Sequence, residues 1–300
     1  MSHVMLATAL SEPFRQPFVV RAILVAVIAG ALCGLLSVYI TLRGMSYLGH
    51  GLSHSIFGGA AVSAAIGFNF FIGAGVWGLA TGLAIGRVTK RRIIGTDAAI
   101  GVITTASFAL GLVLKALFRR VNRSIDATLF GSILGVSRND VLLVLGVAAL
   151  TTVFVVSNYR PLLFLTFDPE VAEVSGVRNG LMDAGLMLTM SFAVLATMKV
   201  LGVTLIAATL VTPSVISRLL TNSFAPMLVL STAIGAVGGG LGMYLSYFWD
   251  TPSGPTIVLV ESAVFLAVFI GAGARGRRQL KGLATDHHGA QATVGLGPTV

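Results

Sequence analysis

Long uninterrupted runs of apolar residues dominate the chain and determine its predicted architecture. The runs are continuous rather than alternating, and their lengths match the about 20 residues of helix that cross a hydrocarbon core. In lipid, only helices and closed barrels satisfy all of their backbone hydrogen bonds. Because apolar and polar residues alternate along barrel strands, the continuous apolar runs predict membrane-spanning helices. Nine runs fit: residues 18–42, 50–67, 70–89, 97–118, 140–158, 181–199, 202–220, 225–248 and 255–272.

The run at 202–220 differs from the others because Pro213 interrupts it. Proline removes a backbone hydrogen bond and kinks a helix, so this run is the best candidate for a re-entrant segment. The sequence therefore predicts an all-α, polytopic transmembrane bundle of eight or nine spans over residues 18–272. A short N-terminal head (residues 1–17) precedes the bundle, and a basic tail (residues 273–300) with the composition of a disordered segment follows it.

Composition indicates that lipid, rather than water, surrounds this chain. Of its 300 residues, 55% are hydrophobic and 10% are charged, against roughly 25% charged residues in soluble domains. The formal net charge of +9 is concentrated in short loops at 87–92, 119–123 and 275–281. Basic loops of this kind orient membrane proteins in the bilayer. The sequence lacks the pattern of basic residues interleaved with aromatic residues that is typical of nucleic-acid binding, so no nucleic-acid partner is expected. The positive-inside rule places 87–92 and 275–281 in the cytoplasm; nine spans would then put 119–123 outside, against the rule.

Two histidines, His50 and His54, stand in this apolar setting with helical i, i+4 spacing. That spacing puts both side chains on one face of a helix. Polar side chains at membrane depth tend to line a substrate path, and imidazole is the commonest protein ligand for transition metals. The pair is therefore a candidate metal contact. The alternative is that one imidazole hydrogen-bonds a backbone carbonyl and the other packs.

A short stretch between two apolar runs predicts a capped helix. Asp168 is a good N-cap, Pro169 suits the first helical position, and Glu170 and Glu173 add negative charge near the N-terminus. Gly176 is a plausible stop. About two helical turns are too short to cross a membrane, so the segment either docks to a cytoplasmic partner or is a capped connector.

Two further features limit the chemistry of the chain. No Gly-Lys dipeptide occurs anywhere, so the phosphate-binding Walker A loop is absent, and ATP-driven transport would need a separate ATPase polypeptide. The single cysteine, Cys33, excludes an internal disulfide, and its apolar surroundings favour a packing role over a redox role.

Six short motifs follow one another along the chain: Leu42–Ser46 continuing to Ser53–His54, Thr96–Gly101, Leu129–Ser137, Phe167–Glu170, Thr212–Ser214 with Arg218–Leu220, and Pro252–Thr256. In this order they resemble the motifs of the membrane permease subunit of metal-uptake ABC transporters, which import manganese, zinc or iron. The resemblance covers about residues 18–272.

The resemblance implies a multi-pass protein of the plasma (inner) membrane that is a transport subunit and not an enzyme. A separate ATPase subunit would press against the segment Asp168–Gly176, and an extracytoplasmic binding protein would deliver the metal ion. A second permease copy or a paralogue would complete the path within the membrane lipid. The divalent metal would be cargo, and no cofactor would be bound permanently.

One departure from the family pattern bears on the metal. The family usually has Asp four residues before the signature histidine, and here that position is His50. A His-His pair shifts preference towards Zn²⁺, Cu²⁺ or Ni²⁺, which puts a manganese assignment in doubt, and it removes a negative charge. We expect Glu261, in the last apolar run, to restore that charge as a third metal contact, since an intramembrane carboxylate is expensive unless paired or coordinating. The alternatives are a hydrogen bond to a neighbouring helix or an ion pair with Lys199.

The predicted function is that of a permease subunit in an ATP-driven importer of divalent transition-metal ions, with zinc or manganese as cargo. Two other functions compete with it. A membrane di-iron oxygenase built on His-x-x-x-His boxes would need more ligands than this chain offers, since only two of its five histidines lie in or beside a span. A secondary metal-ion transporter would be favoured by inverted repeats, and none is convincing.

Overall fold

The computed structural model describes residues 12–90, 95–118, 136–202 and 205–272. Most of the predicted head, the tail from residue 273, the basic loop at 119–123 and most of the Leu129–Ser137 motif lie outside the described residues. The described helices are α1 (Pro17–Leu42), α2 (Leu48–Ile66), α3 (Phe70–Lys90), α4 (Thr96–Phe118), α5 (Arg138–Ser157), α6 (Tyr159–Phe167), α7 (Pro169–Val174), α8 (Asn179–Leu201), α9 (Ile206–Thr209), α10 (Thr212–Leu220), α11 (Phe224–Trp249) and α12 (Ser253–Ala272).

The long helices confirm the predicted all-α, polytopic fold. Within the described ranges, seven helices are both long and apolar enough to cross a membrane, namely α1, α3, α4, α5, α8, α11 and α12. Their ends fall within a few residues of the predicted runs, because apolar length and flanking polar residues determine where a spanning helix begins and ends. The predicted count of eight or nine spans is not confirmed by this number.

The helix that bears the two histidines, α2, is 19 residues long and is shielded by protein along almost its whole length. Only His50 and Ile66 on α2 are exposed, and the helix packs most extensively against α4 and α3. The helix carries two histidines and three serines, and it is not among the seven candidate spans of the described residues. A helix enclosed by other helices can tolerate this composition because lipid does not contact it.

The run predicted at 202–220 is not one continuous helix. It divides into the short helices α9 and α10, and Pro213 lies in the first turn of α10. Proline fits the first turn of a helix, where its missing N–H costs nothing, but it cannot continue a helix that is already formed. The interruption expected at Pro213 is therefore present, and this part of the chain is too short to span as a single helix.

The spine of the bundle is the contact between α1 and α11, which pack backbone against backbone. A Cβ added at Gly30 would lie 2.0 Å from the carbonyl oxygen of Gly235, and one added at Gly239 would lie 2.3 Å from the carbonyl oxygen of Ala26. Ser231 of α11 reinforces the contact by donating a 2.6 Å hydrogen bond to the carbonyl oxygen of Gly34. Small residues permit this approach, so the glycines here serve close packing.

Candidate functional site

The two histidine rings of α2 lie against one another, as the i, i+4 spacing predicts. Their centroids are 4.3 Å apart at an interplanar angle of 72°. His54 is half-buried and rests against the ring of Phe108 from α4 at 4.9 Å, whereas His50 is exposed. Neither imidazole hydrogen-bonds any described residue, so within that part of the chain the ring nitrogens are free to bind a ligand.

The histidine pair is held in place by a close contact between α2 and α4. A Cβ at Gly51 would lie 2.6 Å from the Thr104 side chain, and one at Gly111 would lie 2.4 Å from the Cα of Gly58. Both glycines therefore allow α4 to approach α2 closely. This approach brings Phe108 of α4 against His54.

A buried network of hydroxyl groups next to His54 ties three helices together. Ser55 of α2 lies 2.6 Å from the Thr81 hydroxyl of α3 and 2.7 Å from the Ser107 hydroxyl of α4. Trp77 of α3 completes it, since its indole N–H donates to Ser107 at 2.6 Å. Sequence reasoning missed this network and Phe108, because single hydroxyl and aromatic residues are common in membrane helices and nothing local marks them as partners.

Glu261, the predicted third metal contact, lies on α12. Within the described residues, no three His, Cys, Asp or Glu side chains form a group that could hold a metal ion. Glu261 is 1% exposed, and neither of its carboxylate oxygens has a hydrogen-bond partner among the residues that the structure describes. Its side chain lies against Gly238 of α11. The Lys199 side chain lies outside those described, and the role of Glu261 stays a prediction.

The short capped helix is present as predicted. The Asp168 side chain accepts hydrogen bonds from the backbone N–H groups of Glu170 at 3.1 Å and Val171 at 3.0 Å, and Pro169 is the first residue of α7. Gly176, just beyond the helix, has a φ of +79°, a conformation that glycine adopts without strain. Both acidic residues of α7, Glu170 and Glu173, are exposed. The structure thus confirms the helix, and its contact with a partner remains a prediction.

A cavity of about 1080 Å³ borders α7 and is lined by residues from the ends of several helices. The ion pair between Arg43, at the end of α1, and Asp183 of α8 lies in its wall, and both side chains are largely buried. Asn179, in the first turn of α8, donates a 2.8 Å hydrogen bond to the carbonyl oxygen of Pro169. Sequence reasoning did not find the Arg43–Asp183 pair, whose members are 140 residues apart.

The end of α3 lies beside the same cavity, since Gly86 and Thr89 contribute to its wall together with Glu170 and Glu173. The basic loop that follows α3 was assigned to the cytoplasm by its charge, and α7 was expected at the same face. The structure brings the end of α3 and α7 to one end of the bundle, which agrees with that expectation.

Comparison with known proteins identifies related chains over most of this sequence. The model of the ABC 3 transport family matches residues 15–272. The manganese transport system membrane protein MntC of Halalkalibacterium halodurans is 38% identical over 249 residues, which are 83% of this chain and 85% of that protein. The chelated iron transport system membrane protein YfeD of Yersinia pestis is 32% identical over 268 residues, 89% of each chain.

A solved structure, PsaBC from Streptococcus pneumoniae in complex with Fab, has the same fold. It matches with a TM-score of 0.77 at 32% sequence identity, and the match covers 88% of this chain and 95% of that one. A second structure, an inward-facing conformation of a putative metal-chelate type ABC transporter, matches with a TM-score of 0.64 at 17% identity and supports the fold alone.

Proposed function

From the membership of this chain in the ABC 3 transport family, we propose that it is the permease subunit of an ATP-driven importer of divalent transition-metal ions. The observation that most supports this proposal is the histidine pair on α2. His50 and His54 present two imidazoles 4.3 Å apart on a helix that is enclosed by other helices. Neutral imidazole is a good ligand for a transition metal and a poor one for Na⁺, K⁺ or Mg²⁺.

Two ligands suit an ion in transit better than a stored ion. Structural metal sites close their coordination shell with four protein ligands, whereas a transport site must release its ion. His50 and His54 leave most coordination positions open to water, to a second permease copy or paralogue, or to Glu261. The relatives are named for manganese and chelated iron, while a pair of imidazoles favours zinc-like ions. Zinc or manganese is accordingly the proposed cargo.

The proposed partner of α7 is an ABC ATPase subunit, which would hydrolyse ATP on its own chain. The exposed acids Glu170 and Glu173 would contact it, while Asp168, Pro169 and Gly176 give the helix a defined beginning and end. An extracytoplasmic metal-binding protein would load the path from the other side of the membrane. No nucleic acid and no permanently bound cofactor are needed for this function.

The contacts around α7 offer a route from the ATPase to the metal path. A shift of α7 would act on α8 through the hydrogen bond between Pro169 and Asn179. Asp183, one turn further along α8, holds Arg43, and six residues separate Arg43 from His50. Buried helices shift as rigid bodies between discrete packings, so a movement at α7 can change the access to His50.

Removal of the half-buried imidazole of His54 tests the proposal directly. We expect His54→Ala to abolish uptake of radioactive zinc or manganese by whole cells, because it removes the ligand that Phe108 holds in place. The variant should remain in the membrane and copurify with its ATPase. His287→Ala, which removes a histidine from the basic tail, is the matched control and should transport normally. Normal uptake by His54→Ala would contradict the role of the pair.

A further inference from the structure

Phe108 of α4 rests on α2 at the half-buried histidine. Its ring centroid lies 4.9 Å from that of His54, at an interplanar angle of 62°, and 6.2 Å from that of Phe57. Its backbone is also close to α2, because a Cβ added at Gly58 would lie 3.3 Å from the Phe108 Cα. Residues 54, 57 and 58 lie on one face of α2. Ring and backbone contacts together therefore seat Phe108 on the face that bears His54.

The hydroxyl network beside Phe108, formed by Ser55, Thr81, Ser107 and Trp77, is a closed chain of hydrogen bonds. It begins at the indole N–H of Trp77, which can only donate and lies 2.6 Å from the Ser107 hydroxyl. It ends at the backbone carbonyl oxygen of the same Trp77, which accepts from Thr81 at 2.9 Å. With both ends fixed, Ser107 donates to Ser55 at 2.7 Å, and Ser55 donates to Thr81 at 2.6 Å. Every hydroxyl donates once and accepts once, and a fully satisfied network of this kind rigidifies the helices that it joins.

Hydrogen bonds to described residues do not orient the His54 ring. The ring contacts His50 and Phe108, and within the described part of the chain neither of its nitrogens has a hydrogen-bond partner. Metal-binding histidines usually donate their second N–H to a carboxylate or a carbonyl group, which fixes the direction of the ring. His50 is exposed, so Phe108 is the packed neighbour that limits the rotation of the His54 ring.

We propose that the hydroxyl network, acting through Phe108, orients His54 for the metal ion. The presence of an ion at His54 rests on the proposed function. His54 and the network residue Ser55 are consecutive on α2. On α4, Ser107 and Phe108 are consecutive as well, so one shift of α4 would break the hydrogen bonds and the ring contact together. Packing would supply here what a hydrogen bond to the imidazole supplies in other metal sites, and Phe108 and the network residues are positioning residues.

Protection of His54 from diethyl pyrocarbonate measures Zn²⁺ binding without transport, because the reagent acylates free imidazole nitrogens and a bound ion blocks them. The purified complex of permease and ATPase in detergent is treated at increasing Zn²⁺, and mass spectrometry of peptide fragments locates the acylation. Phe108→Leu keeps an apolar side chain but loses the ring. We expect it to raise the Zn²⁺ concentration of half-protection about tenfold. Phe108→Tyr keeps the ring and should restore half-protection close to the wild-type concentration.

Ser107→Ala opens the hydroxyl network and tests whether it acts through Phe108. The variant leaves the indole N–H of Trp77 without its acceptor and should shift half-protection in the same direction as Phe108→Leu. In the double variant, Ser107→Ala should add nothing to Phe108→Leu, because the ring that the network positions is gone. Thr105→Ala removes an exposed hydroxyl from the same helix and is the matched control, which should bind Zn²⁺ as wild type does.

Copurification with the ATPase shows which variants are folded. Trp77→Phe removes the indole donor while keeping an aromatic ring, and it replaces Ser107→Ala in the test if that variant does not fold. Unchanged half-protection in Phe108→Leu, or an equal loss in Phe108→Tyr, would overturn the role of the ring. A further full loss when Ser107→Ala is added to Phe108→Leu would overturn the route through Phe108.

The same titration separates this inference from the function on which it rests. Absence of any Zn²⁺ protection of His54 in wild type would contradict the proposed function and, with it, the inference. Protection of His54 in wild type without a shift in Phe108→Leu would overturn the inference alone.

Discussion

Gly235→Ala perturbs the contact on which the bundle is built. The new Cβ would lie 2.1 Å from the carbonyl oxygen of Gly30, where 3.4 Å is an ordinary contact. The atom it meets belongs to a helix backbone and cannot rotate away, so α1 and α11 would have to separate by about 1.3 Å along that line. Overpacking of this kind costs about 1–3 kcal/mol. Gly30→Ala should behave alike, because its Cβ would lie 2.0 Å from the Gly235 oxygen.

The matched control is Gly146→Ala in α5, where an added Cβ meets nothing within 4 Å. Alanine is the better helix former by about 1 kcal/mol, so this control should be neutral or slightly stabilising. Thermal unfolding in detergent measures the difference. A loss of about 2 kcal/mol corresponds to a midpoint lower by roughly 4–8 °C in a large domain. Equal midpoints for Gly235→Ala and Gly146→Ala would refute the backbone-to-backbone contact of α1 and α11.

Three further changes test the path and its coupling. Replacing Glu170 and Glu173 with Lys should weaken copurification of the ATPase, since it reverses the charge of the exposed face of α7 and opposes its dipole; unchanged copurification and ATPase response to the binding protein would make α7 only a connector. Asp183→Asn leaves the arginine at the end of α1 without its charged partner, and we expect transport to fall while the ATPase still copurifies; unchanged transport would exclude this pair from coupling. Glu261→Gln should impair uptake, and adding His50→Asp should restore part of it, because a carboxylate at either position can compensate the charge of the ion. Additive effects in the double variant would show that the two positions act independently.

Much of the fold follows from local physics that the sequence displays. The apolar run predicted at 18–42 became α1, Pro17–Leu42, because lipid requires about 20 apolar residues in a helix and proline suits its first turn. The cap at Asp168 and the stop at Gly176 were predictable for the same reason, as each acts on backbone groups within three or four residues. The i, i+4 spacing likewise places His50 beside His54, whatever surrounds them.

Tertiary structure decided everything that depends on residues far apart in the chain. Whether α2 faces lipid or protein is set by which helices enclose it, and only the fold shows that they do so almost completely. Arg43 and Asp183 meet across 140 residues, and Ser231 donates its hydrogen bond to Gly34 across 197 residues. Hydropathy and capping act over a few turns of one helix, whereas the partner of a buried charge is determined by how all the helices pack.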